Sequence, residues 1–296
     1  MIPTILKDAD GNLCVNDAKQ FVKPFSLTPD APNASLALAA AVAAQASAPM
    51  TITQEGPFEG YSLIAQSTRF TAVGDHECTC MITDNGSRKQ LMNRECHANT
   101  IFGTPNFPMV LPQRMFLHEN RSLRIRFQNI FANANAVRSV IHGRRWYPTS
   151  AASGYIDEEV RKLLERSQLA TPYFLTTEGV IDELTVAAGA TSYFLPSDAD
   201  SYFECFKMAA VAYDTTTNTI TGTFDIIFRD AETRRELETG LLSNQLCIGT
   251  GLTPFILAES WLIRPKQRVE VQITNTTASG NNIDVYLTFI GRKIYV

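Results

Sequence analysis

An internal repeat constrains this chain more than any other feature. Residues Cys78 to Asn129 align without a gap on Phe224 to Asn275 at an offset of 146. Asp84, Arg88, Lys89 and Leu91 fall on Asp230, Arg234, Arg235 and Leu237, and Gly103-Thr104 falls on Gly249-Thr250. After a two-residue insertion near Gly280 the offset becomes 148, and Gly143-Arg144-Arg145-Trp146-Tyr147 meets Gly291-Arg292-Lys293-Ile294-Tyr295. Upstream, Phe58-Glu59 meets Phe203-Glu204 at 145, and Pro24, Leu27 and Leu36 meet Pro172, Leu175 and Leu184 at 148. Each copy is roughly 125 residues, a single-domain size that can bury its own core, and far longer than the roughly 20–50 residues of a solenoid unit. Two equivalent units in one chain favour an assembly role over a single catalytic centre.

The repeat is written in strand code. Leu123-Arg124-Ile125-Arg126-Phe127-Gln128 and, at the equivalent place, Val269-Glu270-Val271-Gln272-Ile273-Thr274 alternate apolar and polar. That period belongs to a strand with one buried and one wet face, so Leu123, Ile125, Phe127, Val269, Val271 and Ile273 are expected to point inward. Both runs end at a turn-forming Asn, Asn129 or Asn275. Each is followed by a further strand, Val137 to His142 or Ile283 to Ile290, with Gly143 or Gly291 marking a bulge or a close backbone approach. Asp84-Asn85-Gly86-Ser87 signals a hairpin turn. The expected fold is all-β: two tandem antiparallel jelly-roll or β-sandwich domains from an internal duplication, joined by one short α-helix. The helix is expected near 156–168, where Ile156, Val160, Leu163 and Leu164 share a face and Asp157, Glu158 and Glu159 sit at the N-terminal end. The division is then an N-terminal arm over 1–23, a first sandwich over 24–150, a connector over 151–171 and a second sandwich over 172–296.

Composition narrows the function classes. Charged residues make up 19% of the chain and the net charge is −4, which offers no electrostatic footprint for sequence-specific nucleic-acid binding. The longest apolar stretch, Leu36 to Ala48, is 13 residues and mostly Ala, too short to span a bilayer. The N-terminus lacks the basic and apolar pattern of a secretory signal. Six cysteines without framework spacing read as reduced thiols.

The chemically suggestive residues yield no catalytic, cofactor or metal assignment. His76, Cys78 and Cys80 lie at period two and Cys96-His97 lies nearby, but the second copy has Phe224 and Ile226 at the cysteine positions, so these read as core. Asp84 with Arg88 and Lys89, repeated as Asp230 with Arg234 and Arg235, fits a solvated turn as well as a binding patch. Trp146, Tyr147, Trp261 and Tyr295 could build a sugar platform, though aromatics at strand ends more often pack. A His ligand set for a double-barrel enzyme is missing from the second copy, which has no His. The pairs Arg144-Arg145 and Arg292-Lys293 could face a neighbouring subunit's carboxylates, and they are the interface candidates.

The order of these pieces resembles a module of tailed-phage virion proteins: Phe58-Glu59 or Phe203-Glu204, an Asp-rich turn with basic residues, Gly-Thr, the strands ending at Asn129 and Asn275, and the closing Gly143 to Tyr147 or Gly291 to Tyr295. The resemblance covers nearly all of 24–296. It implies a structural component of the phage particle, made in the host cytoplasm and present in the virion as decoration, cement or a head–tail region protein. Two jelly rolls in one chain also resemble the double-jelly-roll major capsid proteins of membrane-containing viruses. The implied partners are other virion proteins and copies of itself in a homo-oligomer, with neither membrane nor cofactor. A carbohydrate-binding sandwich is the remaining alternative.

Overall fold

In the computed structural model the described residues are 4–7, 13–16, 22–52, 56–68, 77–146, 162, 165, 169–177, 184–186, 190–195, 200–220, 222–236, 238–250, 252–277 and 281–295. The first module is built from β3 (Val22–Leu27), β4 (Ser35–Leu38), β5 (Gln45–Thr51), β6 (Phe58–Ser67), β7 (Cys78–Asp84), β8 (Cys96–His97), β9 (Met109–Leu117), β10 (Ser122–Asn129) and β11 (Asn135–Trp146). The second uses β12 (Ala170–Thr176), β13 (Leu184–Val186), β14 (Ala190–Leu195), β15 (Ser201–Asp214), β16 (Phe224–Asp230), β17 (Leu242–Ser243), β18 (Phe255–Ile263), β19 (Val269–Asn275) and β20 (Ile283–Tyr295). Its sheets run β12-β20-β15-β18 and β14-β19-β16-β17, against β3-β11-β6-β9 and β5-β10-β7-β8 in the first. Counting the principal strands of either module from one to eight gives the same orders, 1-8-3-6 and 2-7-4-5, and every pairing between them is antiparallel. Two facing sheets in that order are a jelly roll. The short strands β4 and β13 are extra partners of β11 and β20.

The periodic strands fill both cores. Leu123, Ile125 and Phe127 on β10 and Val269, Val271 and Ile273 on β19 are all buried, each such side chain stabilising by roughly 1.5–3 kcal/mol. Arg124 on the opposite face is exposed, while Arg126, Glu270 and Gln272 are half-buried. A bulge falls between His142 and Gly143 where β11 meets β6. At Gly143 a Cβ would lie 2.1 Å from the Glu59 carbonyl oxygen, and at Gly291 it would lie 2.1 Å from that of Glu204. Only glycine lets these strands approach so closely.

The turns are duplicated too. Asp84 accepts from the Gly86 N–H and the Ser87 hydroxyl, and Asp230 accepts from the Glu232 and Thr233 N–H groups and the Gln267 amide. The Thr233 N–H and then the Gln267 amide hold the Asp230 carboxyl below its ordinary range. Arg88 and Arg234 occupy the left-handed region at φ 59° and 58°. The acidic–basic clusters are therefore hairpin turns built around an aspartate.

Two short helices follow β8 and β17: α1 (Ala98–Ile101) and α2 (Asn244–Cys247). Neither was legible in the sequence. The connecting helix expected over 156–168 lies outside the described residues except at Lys162 and Glu165, which are helical. Within the arm, β1 (Thr4–Lys7) and β2 (Leu13–Asn16) form a two-stranded antiparallel ribbon of their own, where an extended or looped segment was expected.

Candidate assembly interface

The two jelly rolls meet through dissimilar surfaces. From the first module come the segment 91–93, β8, α1 and the edge strand β9. From the second come β12 and the outer faces of β15 and β20. Backbone hydrogen bonds cross the seam: Phe174 N–H donates to the Leu91 carbonyl at 2.9 Å, and Asn93 N–H donates to the Phe174 carbonyl at 3.3 Å. The Asn93 side chain clamps Thr176 from both sides, donating to its carbonyl at 2.9 Å and accepting from its N–H at 2.8 Å. Phe174, Ala209 and Ile290 of the second module are part of the first module's apolar core.

Polar pairs are embedded in this seam and each is matched. His97 caps α1, its Nδ1 accepting from the Asn99 N–H at 3.1 Å. In a neutral ring the other nitrogen, Nε2, is then the donor to the Tyr213 hydroxyl 3.0 Å away. The same ring packs at a tilt against Tyr286, with centroids 4.7 Å apart. Thr100 donates to the His97 carbonyl and shares a 2.6 Å hydrogen bond with Thr288. Full burial obliges these hydroxyls and the imidazole to be paired. At the rim, Lys207 Nζ donates to the Val110 carbonyl at 2.7 Å, and Arg292 Nη1 to Gln113 Oε1 at 3.4 Å. Burial lowers the Lys207 pKa. Lys89 lies 4.2 Å over the Tyr295 ring. A cavity of about 290 Å³ opens beside this contact, lined by Lys89, Arg114, His118, Arg121, Pro172 and Tyr295 among others. Burial and then Arg121 lower the His118 pKa.

The four interface candidates already have partners within the chain. Arg144 Nε holds Glu59 at 2.5 Å and Arg292 Nε holds Glu204 at 2.7 Å, equivalent pairs in the two modules. Glu59 also takes Arg114 at 2.9 Å, and Tyr61 beside it is pushed up to about 12 by burial and by the Glu59 charge. Arg145 is buried, donating from Nε to the Gly56 carbonyl at 3.1 Å with its guanidinium 5.1 Å over the Phe25 ring. Lys293 lies over the Tyr173 and Tyr295 rings. Of this set Arg292 reaches across the seam, to Gln113, which sequence spacing could not reveal.

The remaining candidates resolve into core. Cys78, Cys80, Cys96, Cys205 and Cys247 are free thiols in the interior. Burial pushes Cys80 well above its ordinary value, Cys205 up to about 12 and Cys247 up to about 11, so none of these three is poised as a thiolate. His97 belongs to the seam, while His76 and Tyr147 lie outside the described residues. Trp146 is buried, and Trp261 packs on Phe228 and Phe289 with centroids 5.9 and 6.2 Å away. Trp146 is thus withheld from a sugar platform, while Trp261 is half-buried.

The second module carries the same first-module surface in uncovered form. Leu246 on α2 occupies the place of Thr100; it is 76% exposed where Thr100 is 0%. On β18, the counterpart of β9, Phe255, Ile256 and Leu262 are exposed, and so is Leu241 just before β17. Bare apolar edge strands are template surfaces that a chain working alone ordinarily avoids.

No protein-family model matches the chain, and no relative is found among curated proteins. Solved structures give remote likenesses. One is from the atomic structure of Sulfolobus Turreted Icosahedral Virus (10% identity, TM-score 0.44, 91% of this chain and 90% of that one). Another is PNGase F, a glycosylasparaginase from Flavobacterium meningosepticum (5%, 0.34, 93% and 96%). A third is the ANXUR2 extracellular domain from Arabidopsis thaliana (9%, 0.24, 100% and 95%). These scores carry no conclusion about this chain; the jelly-roll assignment stands on its own strand order. No helix among the described residues is long and apolar enough to cross a membrane.

Proposed function

We propose that this chain is a structural subunit of a virus shell, acting through contacts with copies of itself and with other virion proteins rather than by turnover. The observation that supports this most strongly is the bare apolar surface of β18 and α2, whose counterpart in the first module is seated against the second. A pair of jelly rolls joined through an extensive mixed seam favours the double-jelly-roll shell subunit over a decoration or cement protein. Placement in a tailed-phage particle, with synthesis in the host cytoplasm, rests on the module resemblance. The anatomy on this reading is an arm over 1–23, jelly rolls over 24–150 and 172–296, and a connector over 151–171. The arm would be ordered by a neighbour, since fixing its backbone costs about 1–2 kcal/mol per residue.

Electron microscopy of the purified full chain tests this reading. Regular rings, sheets or shells are expected, and removal of residues 1–23 should weaken them while leaving both jelly rolls folded. A chain that stays monomeric at high concentration and turns over a substrate would sink the proposal.

A further inference from the structure

Among the described residues the seam is an interface present as one filled copy and two bare halves. The surface that covers the second module belongs to β9, β8 and α1, and in its duplicate on β18, β17 and α2 the side chains of Leu246, Phe255, Ile256 and Leu262 are exposed while β17 is half-buried. The receiving surface belongs to β12, β15 and β20, and its duplicate lies on β3, β6 and β11. There Ser26, Gln66, Arg138 and His142 are exposed, although the residues at their places, Phe174, Val211, Tyr286 and Ile290, are buried. Building on the shell-subunit reading, we propose that the β18–α2 ridge of one copy seats on the β3–β6–β11 face of the next. The seam that joins two modules within a chain is thereby repeated between chains, head to tail.

Three residue pairs that hydrogen-bond across the filled seam have counterparts of matching chemistry. In two of them both partners have changed together, and in the third one partner has changed while its arginine is kept. Thr100 and Thr288 share a hydrogen bond; their counterparts are Leu246 and Val140, an apolar pair. His97 and Tyr213 share another; their counterparts are Ser243 and Thr68, two hydroxyls. Gln113 accepts from Arg292; their counterparts are Glu259 and Arg144. In the last case a neutral contact becomes an ion pair, and Arg144 acquires the neighbouring subunit's carboxylate that its position in the repeat suggested. Arg144 can do this while still holding Glu59 through Nε, because Arg292 meets Gln113 while holding Glu204 in the same way.

The bare receiving face is more polar than the filled one. Phe174 is replaced by Ser26, Tyr213 by Thr68 and Tyr286 by Arg138. A contact formed by folded chains meeting in solution must keep each face soluble beforehand, whereas a seam made during folding is never exposed in the native chain. A polar rim around the apolar Leu246–Val140 centre suits the first case. Because the two halves are different surfaces, the contact is heterologous. It closes into a ring if the rotation per copy divides a full turn, and otherwise grows as a filament.

The test is a disulfide trap in the full chain with Cys14 replaced by Ser; the other five cysteines are buried. Leu246→Cys and Val140→Cys variants are oxidised mildly, separately and mixed. A cross-linked dimer is expected only from the mixture. A dimer from Leu246→Cys alone would mean a symmetric ridge-to-ridge contact and would overturn the proposal. In parallel, Glu259→Lys should weaken self-association by about fivefold, on the order of 1 kcal/mol for a rim ion pair. Ordered assemblies in the microscope without the mixed cross-link would refute this geometry and spare the shell-subunit reading. No assembly under any condition would remove both.

Discussion

Strands β9 and β18 are nine residues each, start 146 residues apart and occupy the same sheet position, yet their surroundings differ. In β9, Met109, Leu111, Met115 and Leu117 are buried, and the strand lies against β12 and β20 of the second module. In β18 only Ile263 is buried, and the strand packs chiefly on β15 of its own sheet. Both strands are apolar, so the difference does not arise from local sequence. What covers the strand decides its exposure, and among the described residues only one of the two copies has a cover.

The largest effect should come from placing a charge at the two equivalent helix positions. Thr100→Asp puts a carboxylate into the fully buried seam opposite Thr288, where it meets no cation among its described partners. An uncompensated buried charge costs about 3–5 kcal/mol. Chemical denaturation should register that loss, and a cost under about 1 kcal/mol would mean the seam is open to water.

A second test asks whether the modules are alike inside even though they differ outside. Gly143→Ala and Gly291→Ala each drive a Cβ to 2.1 Å from a carbonyl oxygen and 2.8 Å from a Phe ring. Overpacking of this kind costs about 1–3 kcal/mol, and the two variants should lose equal stability. Markedly unequal losses would show that the repeat does not extend to the energetics of the core.

That likeness was the legible part of the fold. The ungapped offset, the alternating strands ending at Asn129 and Asn275, and the glycines at 143 and 291 fixed two superposable sandwiches, because periodicity reports which face of a strand is apolar. Strands β8 and β17 were not legible; two residues each are too short to show a period. The seam was not legible either. His97 and Thr100 are ordinary polar residues in the sequence, and their partners Tyr213 and Thr288 stand 116 and 188 residues away. Arg144 and Arg292 were visible as a repeated pair, but periodicity could not show that Glu59 and Glu204, also a repeated pair, hold them. Comparing the copies position by position would have exposed the paired exchange of Thr100 and Thr288 for Leu246 and Val140, once the contact between the first two was known.

That exchange can be made by design. Thr288→Val alone removes one partner of the 2.6 Å hydrogen bond and should cost roughly 1 kcal/mol. Thr100→Leu alone sets a branched apolar group against the Thr288 hydroxyl and should cost more. Together they install in the filled seam the pair found at its bare counterpart. The double variant should therefore lose less than the sum of the singles, with a coupling of about 0.5–3 kcal/mol. Strict additivity in a denaturation cycle would show that the two positions exchange independently, and the matched-pair basis for the head-to-tail contact would be lost.

The smallest effect on the fold is expected where the equivalent charge enters the bare copy. Leu246→Asp sits at a position 76% exposed on a four-residue helix, with its side chain in solvent. Away from buried features, surface substitutions fall within about ±0.5 kcal/mol, so the melting of the dilute chain should hardly move. Self-association should respond oppositely. A carboxylate placed against Val140 of the next copy forfeits an apolar contact and must be desolvated, and assembly should fall by at least about tenfold, which is about 1.4 kcal/mol. The same chemical change thus has opposite readouts at Thr100 and Leu246: stability without assembly in one case, assembly without stability in the other. If Leu246→Asp lowered the stability of the dilute chain as much as Thr100→Asp does, Leu246 would be covered from within the chain. The contrast between β9 and β18 would then have no bearing on how copies meet.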